Sequence, residues 1–478
     1  MKQYPNQFIG GQWRPGRGAT ELADRNPFNN ELLYTYRSAS PADIDDAYTA
    51  AQAAQPAWAA LPPAQKQEYL SKLSDAIVAM KDDIYACLLE EGGSTKPKAD
   101  FEFFTCLDIV REAMHFPLMM DGQIMPSNIP GKENYVFKTP RGVIGTIAPW
   151  NVPLVLAMRS VVPAIATGNA VVLKPATDTP AAAFLIAEFF ERAGFPAGLF
   201  NVIAGRGSEI GDTIVQHPIP NLISFTGSTA VGRRIGEVAG GLLKTVSLEL
   251  GGNNSMIVLD DADAGAAARA AAFGAFFHQG QVCMALNRII VLDAIHDQFA
   301  EAFVEATKQL PVGDPADPAT FIGPIINQTQ VQSIEGYVAA TQAAGAKVIL
   351  AGHTDGNLIH PWLFDDVTND MPAACHEVFG PVCCLIRAKD EAEAIRIAND
   401  TEYGLSNSVF TTDLYHGMQV ARQMRSGMVH VNDQSINDEP HVMFGGEKAS
   451  GLGRFNAQWV VDKFTTEQWV SVQTSYRF

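Results

Sequence analysis

Residues 142–148 read GVIGTIA and are the first of four short apolar segments that decide the fold. The others are AVVLK at 170–174, FNVIAG at 200–205 and LISFTG at 222–227. Such β-branched and aliphatic runs are typical of buried strands, and segments with helix-length apolar spacing separate them. The alternation of strand and helix predicts a parallel sheet that helices cover on both faces.

A second set of alternating segments follows Gly252. Its strand candidates are SMIVLD, RIIVLD, KVILAG, VCCLIR, SNSVFT and GMVHVN. The sequence therefore predicts an α/β protein in which two parallel-sheet domains meet near residues 249–254. The crevice between two such domains is a common place for a ligand.

The first hundred residues are predicted to be helical. Ser40-Pro41 has the composition of a capped helix start, and this helix is expected to end near Leu61. Pro62-Pro63 then opens the next helix, and Gly92-Gly93 is expected to close a third.

Two segments fit neither domain. Residues 121–139 combine turn residues with short alternating runs, like a hairpin, and the C-terminal EQWVSVQTSYRF also alternates. Unattached strands of this kind often complete a neighbour's sheet, which predicts a homo-oligomer. The alternative is a set of surface strands within the monomer.

Composition narrows the class of protein. The chain has 478 residues, of which 47% are hydrophobic and 18% charged, as in a soluble enzyme of two domains. No apolar stretch is long enough to span a membrane and the N-terminus lacks a signal-peptide core, so a cytoplasmic location is expected. The formal net charge of −18 argues against a nucleic-acid partner.

Six cysteines in a chain of this length do not indicate a disulfide framework. Neither a CxxC pair nor an HExxH motif occurs, so no metal site is expected. Cys383 and Cys384 lie in the apolar run VCCLI and have the character of small buried residues.

Three polar residues are candidates for chemistry. Cys283 follows Gly280 in FFHQGQVCMA, and a glycine there allows a close approach of chain and ligand. Glu249 ends a predicted strand, and Asn151 follows another, where its amide can donate to a developing oxyanion. The alternatives are a buried apolar cysteine, a capping glutamate and an Asx turn.

The segment SFTGSTAVG, residues 224–232, passes from a strand through a glycine turn into a helix. A helix N-terminus of this kind can bind a cofactor phosphate, although a glycine loop alone is a weak signal. Lys174 ends the strand AVVLK and is either a surface lysine or a ligand for a nucleotide ribose or phosphate.

Together these segments resemble the aldehyde dehydrogenase superfamily. The matches occur in the family's order over most of the chain, and Glu249 and Cys283 are 34 positions apart, as in the family. The matching segments are PWN at 149–151, GNAVVLKPA at 168–176, FTGSTAVG at 225–232, LELGG at 248–252, GQVC at 280–283, EVFGP at 377–381 and FGGEKASGLGR at 444–454.

The resemblance implies the fold and its division. It implies an α/β fold of two Rossmann-like parallel-sheet domains plus a small β oligomerisation arm. The expected domains are a cofactor-binding domain at 1–120 and 141–252, a catalytic domain at 253–455, and the arm at 121–140 and 456–478. A homodimer or homotetramer is expected.

The resemblance also implies catalytic roles. Cys283 would be the nucleophile, Glu249 the general base, and Asn151 would form the oxyanion hole with the backbone amide of Cys283. The chemistry would be oxidation of an aldehyde through a cysteine thioester, with NAD or NADP as cofactor. The presence of Glu249 argues against the branch that passes the acyl group to coenzyme A.

The cofactor residues follow from the same resemblance. Lys174 would meet the adenosine ribose, Glu377 would bind the nicotinamide ribose, and Phe379 would pack near the nicotinamide. Gly227, Ser228 and Gly232 would lie near the pyrophosphate. The full set expected to bind the cofactor is Lys174, Thr177, Gly227, Ser228, Gly232, Trp150, Glu377, Phe379 and Leu250.

One departure concerns cofactor choice. Many NAD-preferring relatives have a glutamate where this chain has Thr177, and a glutamate would repel a 2′-phosphate. We therefore predict that NADP is tolerated and can be preferred, although the neighbouring Asp178 tempers the argument.

The segments 429–446 and FGAFFHQGQVCMALNR resemble the bacterial aromatic aldehyde dehydrogenases, which act on benzaldehyde, vanillin and hydroxybenzaldehydes. The resemblance implies a substrate pocket that contains Val152, Val282, Met284, Asn437 and Phe444. Polar residues of the loop 432–441, among them Asp433, Gln434 and Asp438, would meet ring hydroxyls or else only hold the loop backbone.

The same motifs leave two other functions open. An aliphatic aldehyde or semialdehyde dehydrogenase would use the same chemistry, and an acidic substrate would want a basic residue, for which Arg159 is the nearby candidate. A structural or binding homologue without activity is the more distant alternative, since a fold alone never proves activity.

Overall fold

The computed structural model describes residues 2–4 and 6–477. Its larger sheet has eight strands, of which the five central ones are parallel. In spatial order the strands are Gln12–Arg14, Gln7–Ile9, Phe200–Val202, Ala170–Lys174, Val143–Ile147, Leu222–Thr226, Thr245–Glu249 and Gly451–Leu452. The four apolar segments that begin at residue 142 all form strands, as predicted.

The strand order of this sheet predicts where a ligand binds. The chain runs outward from Val143–Ile147 in one direction, then returns to pair Leu222–Thr226 on its other side. At such a switch point the carboxyl ends of the two strands diverge, and open α/β sheets bind ligands there. Asn151 and the loop at Gly227 follow these two strand ends.

The second sheet has seven strands and the same inner topology. In spatial order they are Lys347–Leu350, Trp362–Asp365, Val382–Ala388, Leu286–Leu292, Asn254–Val258, Ser406–Phe410 and Met428–Val431. Each predicted segment lies on a strand, and Cys383 and Cys384 are buried in one of them. Trp362–Asp365, which sequence reasoning did not find, pairs with Val382–Ala388.

Helices cover both sheets. The α-helices are Pro41–Ala59, Pro63–Ala79, Lys81–Glu90, Lys96–Ala113, Pro153–Ala166, Pro180–Arg192, Gly207–Gln216, Thr229–Gly241, Ala264–Phe276, His296–Lys308, Gln328–Ala343, Pro372–Cys375, Glu391–Asn399, Leu414–Ala421 and Ala457–Phe464. Short 3-10 turns lie at Phe116–Leu118, Phe277–Gly280 and Lys448–Ser450. Among the helices described, none is long and apolar enough to cross a membrane.

The predicted helix start at Ser40 is confirmed. The Ser40 hydroxyl accepts a hydrogen bond from the backbone N–H of Asp43, and the Asp43 carboxylate accepts one from the N–H of Ser40. This reciprocal arrangement satisfies two N–H groups at the helix start.

The expectation that the first hundred residues are helical is wrong for the first forty. They form four strands: Gln7–Ile9, Gln12–Arg14, Glu21–Arg25 and Leu32–Arg37. The first pair is joined by Gly10-Gly11, both with positive φ (61° and 78°). Two glycines in this conformation make the tight turn that antiparallel strands favour, so the hairpin signal was in the sequence.

The two stray segments pair with each other. Gly122–Met125 and Lys132–Pro140 form the predicted hairpin, and Thr465–Gln473 pairs with the second strand along all nine residues. The small sheet leaves large apolar side chains in solvent, for example Ile124 (80% exposed) and Trp469 (65%). Within the single chain, these side chains of the small sheet lie on the surface.

Candidate active site

A cleft between the two sheets brings most of the predicted functional residues together. It encloses about 830 Å³, open mouth included. From the larger sheet come residues 149–151, 156, 226–228 and 249–251, and from the other side come Cys283, Gln330, Ser333, Tyr337 and residues 377–379.

Cys283 sits at the rim of this cleft on a rigid turn. The residues His278, Gln279 and Gly280 all have positive φ (51°, 57° and 72°), so the chain makes a left-handed turn just before the cysteine. The side chain of Asn254 donates to the Cys283 carbonyl at 2.8 Å. The cysteine backbone is thereby fixed before the strand Leu286–Leu292 begins.

The surroundings of the Cys283 thiol favour its protonated form. Burial and the carboxylates of Glu377 and Glu249 together raise its pKa to about 12, while Arg159 acts to lower it. A thiol must lose its proton before it can act as a nucleophile. Cys283 therefore has to give up its proton before it reacts.

Glu249 is the buried carboxylate of the same cleft. It ends the strand Thr245–Glu249 and is only 3% exposed. Neither of its carboxylate oxygens has a hydrogen-bond partner among the described residues. Burial raises its pKa to about 7, while Lys463, Arg159 and Arg454 act to lower it. A carboxylate that titrates near neutrality is suited to general base catalysis.

Asn151 is buried on the wall of the same cleft. One of its side-chain N–H groups donates to the Gln281 carbonyl at 2.9 Å, which fixes the amide two residues from Cys283. An amide nitrogen has two N–H donors, so the second remains available for an oxygen bound in the cleft.

The opposite part of the cleft has the features of a dinucleotide site. Ser228 caps the helix Thr229–Gly241, and its hydroxyl accepts from the N–H of Val231 at 3.4 Å. The free N–H groups at such a helix start suit a phosphate. The rings of Trp150 and Phe379 meet edge to face, with centroids 5.4 Å apart.

Glu377 is held in place by two adjacent glycines. Its Oε1 accepts from the N–H of Gly252 at 3.0 Å. A Cβ on Gly251 would lie 2.8 Å from the Glu377 carboxyl carbon, and a Cβ on Gly252 would collide with the carbonyl of Cys283. Only glycine at both positions lets the carboxylate and the cysteine approach this strand end. These residues fit a nicotinamide nucleotide.

Three predicted cofactor residues do not line the cleft. Lys174 is buried and donates to the Pro175 carbonyl at 2.7 Å, and burial lowers its pKa to about 8. Thr177 is half-buried and its carbonyl accepts from the Tyr36 hydroxyl at 3.2 Å. Gly232 lies beneath Leu250, with no room for a Cβ.

A second, narrow cavity adjoins Cys283, and the space in it that a water-sized sphere can occupy is about 20 Å³. Its walls are mostly apolar. They consist of Phe101, Val152, Val155, Leu156, Phe277, Val282, Met284, Ile436 and Phe444, with the polar residues Lys98, Arg159, His278 and Asp438. Of the five residues predicted for the substrate pocket, four line this cavity.

The fifth, Asn437, does not line this cavity, contrary to the prediction. Its side chain donates to the Gln434 carbonyl at 2.8 Å, and it lines a neighbouring surface pocket that shares Asp438 and Phe444 with the cavity. The Gln434 amide likewise bonds the backbone of Ile436. These polar groups hold the loop backbone, the alternative given for them from the sequence, because short polar side chains readily bond nearby peptide groups.

Comparison with known proteins agrees with this geometry. Residues 13–470 match the aldehyde dehydrogenase family. The chain belongs to the aldehyde dehydrogenase family. It is 49% identical to a vanillin dehydrogenase of Corynebacterium glutamicum over 98% of this chain and 97% of that one. It is 45% identical to the benzaldehyde dehydrogenase YfmT of Bacillus subtilis, with the same coverage.

A solved structure agrees as well. The crystal structure of an NAD-dependent benzaldehyde dehydrogenase from Corynebacterium glutamicum superposes with a TM-score of 0.91 at 44% identity, and 99% of each chain is covered. This similarity confirms the α/β aldehyde dehydrogenase fold expected from the sequence.

The structure gives contacts of Arg159 and His278 that the sequence does not show, and it adds Lys463 to this aldehyde dehydrogenase site. Arg159 forms a buried ion pair with Asp438 and lies 4.1 Å from the centroid of the Phe444 ring. His278 is 1% exposed and neither ring nitrogen has a hydrogen-bond partner among the described residues. Lys463 faces Glu249 from the C-terminal region, where no motif marked it.

Proposed function

We propose that this aldehyde dehydrogenase oxidises aromatic aldehydes to carboxylic acids, with NAD or NADP as hydride acceptor. The observation that carries the proposal is the apolar cavity beside Cys283, with Phe277 and Phe444 among its walls. Planar rings gain both apolar burial and edge or face contacts in such a site. The relatives named for vanillin and benzaldehyde support the same substrate class.

The cavity does not favour an acidic aldehyde. Arg159 and Lys98 both line it, but each is already paired with a buried carboxylate, Asp438 and Glu102 respectively. An anionic substrate would lose its hydration on entering the cavity, and it would find no unpaired cation there to compensate for that loss. A neutral ring therefore fits better than the carboxylate of a semialdehyde.

The proposed reaction uses Cys283, Asn151 and Glu249. The Cys283 thiol first gives its proton to water at the open side of the cleft, and its sulfur then bonds to the aldehyde carbon. The carbonyl oxygen becomes an oxyanion that the free N–H of Asn151 stabilises, together with the backbone N–H of Cys283. A bound nicotinamide supplies the hydride acceptor that converts this adduct into a thioester. Glu249 then takes a proton from water, whose oxygen bonds to the thioester carbon, and the thiolate leaves.

The proposed cofactor contacts follow the two halves of the cleft. Ser228 and the N–H groups after it would hold the pyrophosphate, with Gly227 giving access, and Glu377 would bind the nicotinamide ribose. Trp150, Leu250 and Phe379 form apolar walls of the same cleft. We further propose that Lys174 and Thr177 act beyond it, toward the adenosine half, and that Gly232 lies near the pyrophosphate.

Use of NADP is part of the proposal. The Asp178 carboxylate accepts from the Asn327 amide at 3.1 Å and lines a different pocket. It is therefore engaged away from the cleft, and Thr177 brings no charge that would repel a 2′-phosphate. We expect kcat/KM with NADP to lie within about tenfold of that with NAD. Strict dependence on NAD in a spectrophotometric assay would contradict this.

The division into domains and the assembly are also proposals. We infer that residues 1–120 and 141–252 bind the cofactor, 253–455 carry the nucleophile, and 121–140 with 456–478 form an arm that joins subunits. The exposed apolar side chains of the arm sheet and its free edge at Thr465–Gln473 support a homodimer or homotetramer. A monomeric mass by light scattering would contradict the assembly.

The experiment that tests the substrate class compares benzaldehyde, vanillin and hexanal. We expect kcat/KM for the aromatic aldehydes to exceed that for hexanal by about tenfold or more, which corresponds to about 1.4 kcal/mol. Acid product is confirmed by chromatography, because aromatic aldehydes absorb where the reduced cofactor does. An equal or better rate with hexanal would refute the aromatic assignment and leave the Cys283 mechanism intact.

A further inference from the structure

Several buried polar atoms near Glu249 have no hydrogen-bond partner among the described residues. Among the residues that the structure describes, the Glu249 carboxylate, the Lys463 ammonium nitrogen, the Ser247 hydroxyl and two nitrogens of Arg159 have no hydrogen-bond partner. Native proteins leave few such groups, so a cluster of them calls for an explanation. The reaction described above uses only Glu249 and leaves the lysine without a role.

Lys463 is carried into the interior by the last helix, Ala457–Phe464. Its ammonium nitrogen lies 3.1 Å from the centroid of the Phe455 ring. Its carbonyl accepts from Arg141 Nε at 2.6 Å, and the helix packs against Pro153–Ala166. The backbone of Lys463 is thus held in place, and its ammonium group is buried.

Two glycines and a serine show that Lys463 lies close to Glu249. A Cβ on Gly453 would lie 3.6 Å from Lys463 Nζ and 3.7 Å from Ser247 Oγ. A Cβ on Gly445 would lie 2.9 Å from the Gly453 carbonyl and 3.2 Å from Glu249 Oε1. Ser247 and Glu249 are two residues apart on one strand, so both point to the same face of the sheet. The ammonium and the carboxylate therefore share one glycine-lined region.

Three cations face Glu249, but two are already neutralised. Arg159 is paired with Asp438, and Arg454 is paired with Glu447. Lys463 forms no ion pair with a carboxylate among the described residues. It is therefore the cation whose charge is left to act on Glu249.

We propose that Lys463 is a positioning residue for Glu249, and that its ammonium keeps this carboxylate ionised for the attack of water on the thioester. The inference rests on the proposed function. In the step concerned, a water oxygen bonds to the thioester carbon, its proton passes to Glu249, and the carbon–sulfur bond breaks to release the Cys283 thiolate. A protonated Glu249 cannot accept that proton.

The ionisation of the two groups is linked. Burial, together with the charges of Arg159 and Arg454, lowers the pKa of Lys463 to about 7, while Glu249 acts to raise it. Loss of the lysine charge removes the largest influence that favours the ionised form of Glu249. The pKa of Glu249 would then rise, and the base would be lost at neutral pH.

The test compares Lys463→Met and Lys463→Arg with wild type in the intact full-length enzyme. Methionine keeps the apolar contact with Phe455 and removes the charge, whereas arginine retains a cation. Lys308→Met is the matched control, because Lys308 lies on an exposed helix end and pairs only with the exposed Glu305 at 2.7 Å. The readouts are the pH dependence of kcat and the pre-steady-state burst of reduced cofactor, with benzaldehyde as substrate.

For Lys463→Met we expect the acid limb of the kcat profile to move up by about one pH unit or more. A one-unit shift from pH 7 lowers the ionised fraction at pH 7 about fivefold, so kcat falls by that factor. The burst stays at one reduced cofactor per active site, because only hydrolysis of the thioester is slowed. Lys463→Arg restores kcat at pH 7 to within about twofold of wild type.

The proposal is overturned if the acid limb of Lys463→Met stays at the wild-type position, or if the arginine variant is shifted as far as the methionine variant. Lys463→Gln is measured alongside, so a folding defect of one variant does not decide the result. If wild type itself forms no acid from benzaldehyde, the proposed function fails. If wild type turns over and the limb does not move, only the role of Lys463 fails.

Discussion

Replacing Glu102 by alanine tests how the helix that follows Asn151 is held. Glu102 Oε2 accepts from the first N–H groups of that helix, Leu154 at 3.0 Å and Val155 at 3.3 Å. The carboxylate also forms an ion pair with Lys98, and both side chains are almost completely buried. Alanine would leave the helix start uncapped and the lysine charge buried.

The size of the effect follows from this burial. Removal of one partner from a buried ion pair costs about 3–5 kcal/mol, because the remaining charge is not compensated. An unfolding entropy of about 2.1 cal/mol/K per residue over 478 residues gives about 1 kcal/mol/K. If the whole chain unfolds cooperatively, Tm falls by about 3–5 °C.

Thermal unfolding at matched protein concentration is the assay. Glu68→Ala is the control, since Glu68 and Lys72 form an exposed pair at the same four-residue spacing, and Tm should change by less than about 1 °C. The double variant Lys98→Met with Glu102→Gln should recover part of the loss, because no buried charge remains and one acceptor is kept. A Glu102→Ala Tm equal to wild type would refute the capping argument.

Three further outcomes are expected. Asn151→Ala should lower kcat about 10²–10³-fold with an intact fold, since one oxyanion donor is lost, and a kcat near wild type would remove Asn151 from the mechanism. Gly251→Ala should raise KM for the cofactor more than KM for the aldehyde, because the new Cβ would displace Glu377. An unchanged KM for the cofactor would contradict the role of Glu377 in cofactor binding. The kcat of wild type should fall as pH drops through about 7, since Glu249 must be ionised to act, and a kcat constant from pH 8 to 6 would argue against this base.

Much of the fold was predictable because buried parallel strands leave a strong signal. Segments such as AVVLK and VCCLIR are apolar on both faces, and each lies on a strand of the structure. The N-terminal strands were missed because they are short and polar, like Glu21–Arg25 with alternate residues exposed. Their pairing partners lie far along the chain or across a turn, which local composition does not report.

The site was predictable where its residues follow strand ends or adjoin glycines. Glu249, Asn151 and Cys283 carry such local marks, and the structure brings all three to one cleft. Lys463 carries none, because it reaches Glu249 only through the packing of a helix more than two hundred residues later in the chain. The family resemblance placed Asn437 in the substrate pocket, whereas its amide bonds the loop backbone.

The most direct test of the mechanism is the mass of the Cys283 peptide in Glu249→Gln after acid quench, with benzaldehyde and NAD present. The mechanism requires a benzoyl group on Cys283 at close to one per active site, matched by one reduced cofactor, because the acyl group forms and hydrolysis stalls. Cys283→Ala should show neither. Wild-type turnover by Glu249→Gln, or reduced cofactor formed without acyl on Cys283, would contradict the thioester mechanism.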